Sequence, residues 1–180
     1  MSVTPFDIKS AALDGGFLGT PYSKLDCQAL VEAVLIKAGL RIPNYRGSNH
    51  QWRELVYDRT EITTGQDVPC GVLVFKVRHD GGEVKRGYHD TMGNATHVGV
   101  AIGNGQVVDS STGGVKIRSA SNFTHWGYVK DVDYDNKGSD TDEGTEGTRP
   151  TAKEVIRNYL SIIKDNISAL EEFINGTDLY

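Results

Sequence analysis

The first apolar pattern in the chain has helical spacing and begins just after a cysteine. Its apolar members are Leu30, Val31, Val34 and Leu35, and the run ends at Gly39. This spacing predicts an amphipathic helix whose apolar side packs on a core. Asp26 is a residue type that caps helices, so Cys27 is expected in the first turn. The positive end of the helix dipole would there favour the thiolate, which is the nucleophilic form of cysteine.

Farther along the chain, short apolar or alternating runs indicate β-strands. These runs lie at residues 72–77, 97–102, 106–109, 114–117 and 126–129. The glycine-bearing turn at 103–105 joins two of them into a predicted β-hairpin. A helix carrying the cysteine, packed on a mostly antiparallel sheet, predicts an α+β fold.

Three other segments have predictions of their own. Residues 1–25 are rich in turn-forming residues and are predicted to be a loop that leads into the cysteine helix. Ser48 and Gln51 have the spacing of a capping box, which predicts a short helix that includes Trp52. The polar, glycine-bearing stretch 78–96 is predicted to be a loop or a flexible hairpin extension beside the site.

The end of the chain differs from the rest in composition. Residues 136–150 are acidic, glycine-rich and almost without apolar groups, so they are predicted to be a linker. Residues 151–180 have isoleucine and leucine at helical spacing, which predicts a C-terminal amphipathic helix. An isolated helix needs a surface for its apolar side, so this one is expected to pack on the domain or to mediate self-association. Residues 1–135 would then form one domain.

Composition excludes several classes of protein. A net charge of −5 spread over 180 residues gives no basic surface for nucleic acid. Two cysteines, Cys27 and Cys70, are too few for a disulfide scaffold. The N-terminus has neither the basic nor the apolar region of a signal peptide, and no stretch is long and apolar enough to span a membrane. The sequence therefore leaves the localisation unknown.

His97 and Asp109 lie on the two strands of the predicted hairpin. Given the turn between them, both side chains are expected at about the same height on adjacent strands. Asp109 could then orient one imidazole nitrogen and leave the other for the thiol of Cys27. Spacing alone leaves two alternatives open: an ordinary strand histidine, and a cysteine that is merely a small core residue.

Several motifs, in order, resemble the NlpC/P60 family of papain-like cysteine peptidases, which cleave bacterial cell-wall peptides. The motifs lie at residues 18–22, 26–31, 69–75 and 97–103, within a resemblance that covers about residues 17 to 132. The resemblance implies a papain-like fold with Cys27, His97 and Asp109 as catalytic residues. It also implies that Tyr22, Asp26 and Gln28 bind substrate. No metal or organic cofactor is implied.

The reaction implied by this resemblance is hydrolysis of an amide bond in bacterial peptidoglycan. The bond would lie within the stem peptide, as for an endopeptidase, or at its junction with the sugar, as for an N-acetylmuramoyl-L-alanine amidase. Gln28 and Ala29 replace the serine and glycine usual in the family, which predicts a changed bond specificity. A phage lysis or injection route, or another secretion system, would bring the protein to the wall.

Two alternatives to this reading remain. One is a non-catalytic structural or binding module of a phage or wall-associated assembly that keeps the fold. The other is a zinc site formed by His79, His89, Asp90 and His97, although their irregular spacing fits no common ligand pattern. As a substitution test of the triad, Asp109→Asn is expected to cost less activity than Asp109→Ala, because an amide oxygen still accepts a hydrogen bond from imidazole.

Overall fold

The computed structural model describes residues 2–63, 68–79 and 90–135. The predicted linker, the predicted C-terminal helix and the middle of the predicted 78–96 loop lie outside these residues. The helix α1 spans Pro5–Asp14 and α2 spans Cys27–Lys37. A short third helix, Ser48–His50, continues into a π-helical turn at Gln51–Leu55.

The helix α1 contradicts the loop predicted over residues 1–25. Its N-terminus is a capping box, because the Thr4 hydroxyl accepts a hydrogen bond from the Asp7 N–H while the Asp7 carboxylate accepts one from the Thr4 N–H. Pro5 occupies the start of the helix, where its missing N–H is no loss. The sequence signal was therefore present as Thr-Pro-x-Asp. Ile8 and Ala12 are fully buried and give the helix its tertiary support.

The prediction for α2 is confirmed. Asp26 is the N-cap residue, and its carboxylate accepts a hydrogen bond from the Ala29 N–H at 2.8 Å. All four apolar residues of the stripe are fully buried: Leu30, Val31, Val34 and Leu35. Each such side chain contributes about 1.5–3 kcal/mol by leaving water. Cys27 is consequently attached to one of the most firmly packed elements of the molecule.

The capping box predicted at Ser48 and Gln51 is wrong. The short helix begins at Ser48 itself. It follows Gly47, whose φ of 93° is readily adopted by glycine but rarely by other residues. The Ser48 hydroxyl donates instead to the Ala95 carbonyl oxygen at 2.6 Å, and the Gln51 amide donates to the Gln28 carbonyl oxygen at 3.3 Å. Both polar side chains therefore form hydrogen bonds with residues distant in sequence instead of capping the helix.

Six antiparallel strands form one sheet. They are β1 (Val56–Glu61), β2 (Leu73–Arg78), β3 (Asn94–Gly103), β4 (Gln106–Ser111), β5 (Gly114–Ser119) and β6 (His125–Val129). Their order across the sheet is β1-β6-β2-β3-β4-β5. The five predicted strands are confirmed as β2 to β6. The strand β1 was not among the predicted strands; it begins at Val56, directly after the π-helical turn.

The central strand β2 is buried on both faces, which positions the sheet between two apolar clusters. Leu73 and Phe75 contact the cluster that includes α1 and α2, whereas Val72 and Val74 belong to a second cluster with Phe123. The helix carrying Cys27 thus packs against a face of the antiparallel sheet, as the α+β prediction requires. None of the helices in residues 2–63, 68–79 and 90–135 is both long and apolar enough to cross a membrane.

Candidate active site

Cys27 is the first residue of α2 and lies at the start of the candidate site. The N–H groups of a first helical turn have no partner within the helix and point out of its end. The Cys27 thiol lies close enough to His97 and to Tyr22 to raise the pKa of each. Tyr22 keeps 46% of its surface exposed, so it stands at the mouth of the site. The charge of Cys27 is the largest cause of a raised pKa of Tyr22.

His97 and Asp109 form a close polar pair across the β3–β4 hairpin. The imidazole Nε2 lies 2.6 Å from Asp109 Oδ2. The pair is diagonal, because Asp109 lies opposite Gly99 and not opposite His97. His97 and Gly99 are two positions apart on one strand, so they face the same side of the sheet as Asp109.

The expectation that both side chains lie at the same height is therefore wrong: Asp109 is paired with Gly99, two residues beyond His97 along β3. The register of the hairpin shifts between Ala101 and Gly103, ahead of the turn. Gly99, the residue opposite Asp109, has no side chain to crowd the carboxylate. A Cβ atom there would lie 2.7 Å from Val107 Cγ1 and 3.1 Å from Asp109 Cβ.

Arg118 is a member of the site that sequence reasoning missed. Its Nε donates to Asp109 Oδ1 at 2.6 Å, so that Asp109 binds His97 with one oxygen and Arg118 with the other. Arg118 lies on β5 opposite Val107, on the same side of the sheet as Asp109. Because side chains alternate between the two faces along β5, Lys116 and Arg118 both lie on the same side of the sheet as Asp109. Lys116 lies directly opposite Asp109, so only the side-chain contacts of the folded structure show that the diagonal neighbour, Arg118, is the one that reaches the carboxylate.

The protonation of the pair follows from these contacts. Burial disfavours the charge on His97, but hydrogen bonds to Asp109 and to Cys27, with the charges of both, outweigh it and raise the pKa of His97 to about 9. Burial also works against the charge on Asp109, yet His97 and Arg118 together hold the pKa of Asp109 below its usual value. At neutral pH, His97 is therefore an imidazolium beside an ionised Asp109.

Packing fixes the orientation of the imidazole. The ring of His97 is stacked on the ring of Phe123, with centroids 5.6 Å apart and an interplanar angle of 16°. Lys76 lies opposite His97 on β2, and its Nζ is 5.8 Å from the centroid of Phe123. With Nε2 held by Asp109, Nδ1 is the ring nitrogen left for Cys27.

A cavity of about 710 Å³ opens beside Cys27. Its lining is formed by Asp26, Cys27 and Gln28 from α2, by residues 46–49, and by residues 94–96 from the start of β3. The Gln28 amide nitrogen is held by the Tyr45 carbonyl oxygen at 2.6 Å and by Glu32 at 2.8 Å. Two of the predicted substrate-binding residues, Asp26 and Gln28, thus line the cavity, while the third, Tyr22, lies near Cys27. A cavity of this size accommodates a small ligand or several residues of an extended peptide.

The wall of the cavity at residues 94–96 is held by a polar network. Arg53 makes a bidentate ion pair with Asp90, with both distances 2.7 Å, and also donates to the Gly93 carbonyl oxygen. Asn49, which is 4% exposed, accepts from the Ala95 N–H and donates to Asn94 Oδ1, both at 2.7 Å. The described end of the predicted 78–96 loop is therefore tied to the short third helix. Neither Asn49 nor Arg53 stood out in the sequence.

The residues of the zinc alternative have other contacts. Asp90 is engaged by Arg53, and the ring of His79 lies 6.0 Å from the ring of His125. In the described ranges 2–63, 68–79 and 90–135, no group of three or more histidine, cysteine, aspartate or glutamate side chains is arranged to hold a metal ion. His89 lies outside these ranges.

Comparison with known proteins gives a family and a fold. A family model described as "NlpC/P60 family" matches residues 15–131. The structure resembles the NlpC/p60 domain of peptidoglycan hydrolase SagA, with 20% identity over 71% of this chain and 100% of that one and a TM-score of 0.49.

A second similar structure is an NlpC/P60 family protein from Bacillus cereus ATCC 10987. It is 21% identical over 72% of this chain, with a TM-score of 0.50, and the match spans 41% of that protein's length. At this level of identity the likeness shows the shared fold. No curated protein matches the sequence.

Proposed function

Since this chain belongs to the NlpC/P60 family, we propose that it is a cysteine-dependent hydrolase that cleaves an amide bond in bacterial peptidoglycan. One observation carries the proposal: the Cys27 thiol is within reach of His97, whose Nε2 is bound to a buried carboxylate 2.6 Å away. A nucleophile, a base and a group that orients the base are what cysteine catalysis needs. The similar SagA structure is described as a peptidoglycan hydrolase.

In the proposed reaction, the Cys27 thiolate attacks the carbonyl carbon of the amide. A C–S bond forms and the carbonyl oxygen becomes an oxyanion. The C–N bond then breaks, and the leaving nitrogen takes the proton of the His97 imidazolium. Neutral His97 next removes a proton from water, which attacks the thioester and releases the carboxylic acid. The C–S bond breaks and the thiolate–imidazolium pair is restored.

The oxyanion would form beside the N-terminus of α2. The Cys27 backbone N–H belongs to the first turn, where donors are not used by the helix and the dipole favours negative charge. Tyr22, which lies near the thiol, would supply a hydroxyl at the open side. Such donors stabilise the charge that develops in the transition state.

We propose that the cavity lined by Asp26, Gln28 and the wall at residues 94–96 binds the peptide on one side of the scissile bond. Asp26 uses one carboxylate oxygen to cap α2, so its charge stays at a fixed position next to the nucleophile. The family's usual serine is replaced by Gln28, whose amide nitrogen is turned toward Tyr45. This replacement supports a bond specificity different from that of relatives with serine.

The test uses purified peptidoglycan and mass spectrometry of the released fragments. Wild-type protein should release fragments with one new amino end and one new carboxyl end, and their masses identify a stem-peptide bond or the sugar–peptide junction. Cys27→Ala should release none, whereas the matched variant Cys70→Ala should be as active as wild type. EDTA should leave the rate unchanged. Inhibition by EDTA together with full activity of Cys27→Ala would show that the nucleophile is not this cysteine.

We also propose that the chain consists of a catalytic domain at residues 1–135, a linker at 136–150 and an amphipathic helix at 151–180. The support is compositional: the linker is acidic and lacks apolar groups, and the last segment has an isoleucine and leucine stripe. In this proposal the helix mediates self-association or docking to a partner and takes no part in the chemistry. Absence of any hydrolysis by the full chain would instead favour a structural module that has kept the fold.

A further inference from the structure

The Asp109 carboxylate is buried, and both of its oxygens bind charged partners. Only 3% of its side chain is exposed. Oδ2 contacts His97 and Oδ1 contacts Arg118, both at 2.6 Å. A buried carboxylate without a cationic partner tends to take up a proton instead of remaining charged. The two partners therefore determine together whether this group stays ionised.

The two partners differ in how constant their charge is. Arginine remains charged at any pH that a folded protein tolerates. His97 gives up its proton and regains it during the proposed reaction. Arg118 is also held in place, because its Nη2 donates to the carbonyl oxygens of Thr112 and Gly114 at 3.3 and 3.4 Å. These bonds tie the guanidinium to the turn between β4 and β5.

We propose that Arg118 is a positioning residue that keeps the Asp109 carboxylate ionised and directed at His97 in both protonation states of the imidazole. The inference rests on the proposed function, since it matters most when neutral His97 activates water. Without Arg118, the carboxylate would then face a neutral ring from a buried position and would take up a proton. A protonated Asp109 no longer accepts the Nε2–H bond as a charged group, and the base loses its orientation.

The other charged groups near the pair are exposed to solvent or belong to the reaction. Cys27, at the start of α2, is close enough to His97 to raise its pKa, and Tyr22 lies near Cys27. Lys76 lies opposite His97 on β2, and Lys116 lies opposite Asp109 on β5. Both lysines are exposed, so solvent weakens their influence. Lys116 therefore offers a matched control, with the same charge on the same strand and the same side of the sheet as Arg118.

The experiment follows the titration of the His97 ring nitrogens by long-range ¹H–¹⁵N NMR, with the signal assigned by its absence in His97→Gln. Arg118→Met removes a positive charge from the site, so the His97 imidazolium should hold its proton more tightly. The midpoint should move upward by about one pH unit or more. Lys116→Met should titrate like wild type, and Arg118→Lys should restore most of the wild-type midpoint. Should Arg118→Met not fold, Arg118→Gln is measured in its place.

An unchanged midpoint would overturn the proposal, as would a shift of equal size in Lys116→Met. A downward shift would also overturn it, because it would mean that Asp109 has left His97. Hydrolysis gives a second readout: kcat of Arg118→Met should fall by about tenfold or more with KM changed less than about twofold, while Lys116→Met keeps full activity. The titration needs no substrate. It therefore tests Arg118 even if wild-type protein proves unable to hydrolyse peptidoglycan.

Discussion

Replacing Asp109 by asparagine keeps the shape of the side chain but removes its charge, and the structure predicts a large loss of activity. The carboxylate accepts from His97 Nε2 and from Arg118 Nε, each at 2.6 Å. An amide has one accepting oxygen for these two donors. Since a bond to a charged donor is the stronger one, the oxygen should face Arg118. The amide nitrogen would then face Nε2.

This orientation would place the proton of neutral His97 on the wrong nitrogen. Nε2 would have to accept a hydrogen bond, so the proton would reside on Nδ1, the nitrogen directed at Cys27. The base could then not take a proton from the thiol or from water. Asp109→Ala removes the same charge without imposing this tautomer. Asparagine is therefore expected to be at least as damaging as alanine, which reverses the expectation from the sequence.

The contacts of His97 give the magnitude. The rise of its pKa from 6.5 to about 9 corresponds to about 3 kcal/mol of imidazolium stabilisation, to which Asp109 and Cys27 both contribute. Loss of most of this in the transition state would slow the reaction by about 100-fold. The wrong tautomer can extend the loss to about 10,000-fold. The expected decrease in kcat/KM for Asp109→Asn lies between these limits.

The assay is product release from purified peptidoglycan, combined with the rate of Cys27 alkylation by iodoacetamide as a function of pH. Asp109→Asn should also be alkylated more slowly near neutral pH, because a weaker imidazolium stabilises less thiolate. Asp131→Asn makes the same chemical change at an exposed residue with positive φ, where asparagine is well tolerated, and should behave like wild type. A kcat/KM for Asp109→Asn within about threefold of wild type would refute the reasoning.

Gly99→Ala would place a methyl group within 2.7 Å of Val107 and 3.1 Å of Asp109. The substitution should lower the free energy of unfolding by roughly 1–3 kcal/mol and reduce kcat. A folded variant with wild-type kcat would contradict this. Because the folded pKa of His97 lies above its unfolded value of 6.5, its contribution to stability is complete below pH 6.5 and is lost as pH rises through about 9. Denaturant titrations should show this decrease in wild type and a smaller one in His97→Gln; equal decreases would disprove it. Deleting residues 136–180 should leave hydrolysis intact and change the oligomeric state measured by light scattering, whereas failure to fold would place the last segment in the core.

Local patterns in the sequence were sufficient for the elements that carry Cys27 and His97. The helix α2 follows from an acidic cap and a stripe of apolar residues with a period near 3.6, and both signals depend only on neighbours along the chain. The hairpin of β3 and β4 follows from alternation around a glycine-bearing turn. The capping box at Thr4 and Asp7 was equally local, and α1 could have been predicted from it.

Tertiary structure overrode local signals where polar side chains had distant partners. Ser48 and Gln51 have the spacing of a capping box, but they bind Ala95 and Gln28. The strand β1 begins directly after a helical turn, and its pairing with β6 defines it. A short segment of this kind has no strong period of its own, so the partner strand decides its conformation.

The register of the sheet and the side-chain contacts across it decided which residues form the candidate site. The sequence placed His97 and Asp109 on adjacent strands, but only the pairing of Gly99 with Asp109 shows that their contact is diagonal. The register puts Lys116 directly opposite Asp109, yet the diagonal neighbour Arg118 is the second partner of the carboxylate. A shift of one residue would turn either side chain to the other face of the sheet. Local sequence patterns therefore determined α1, α2 and the β3–β4 hairpin, whereas the tertiary structure determined β1 and which charges meet.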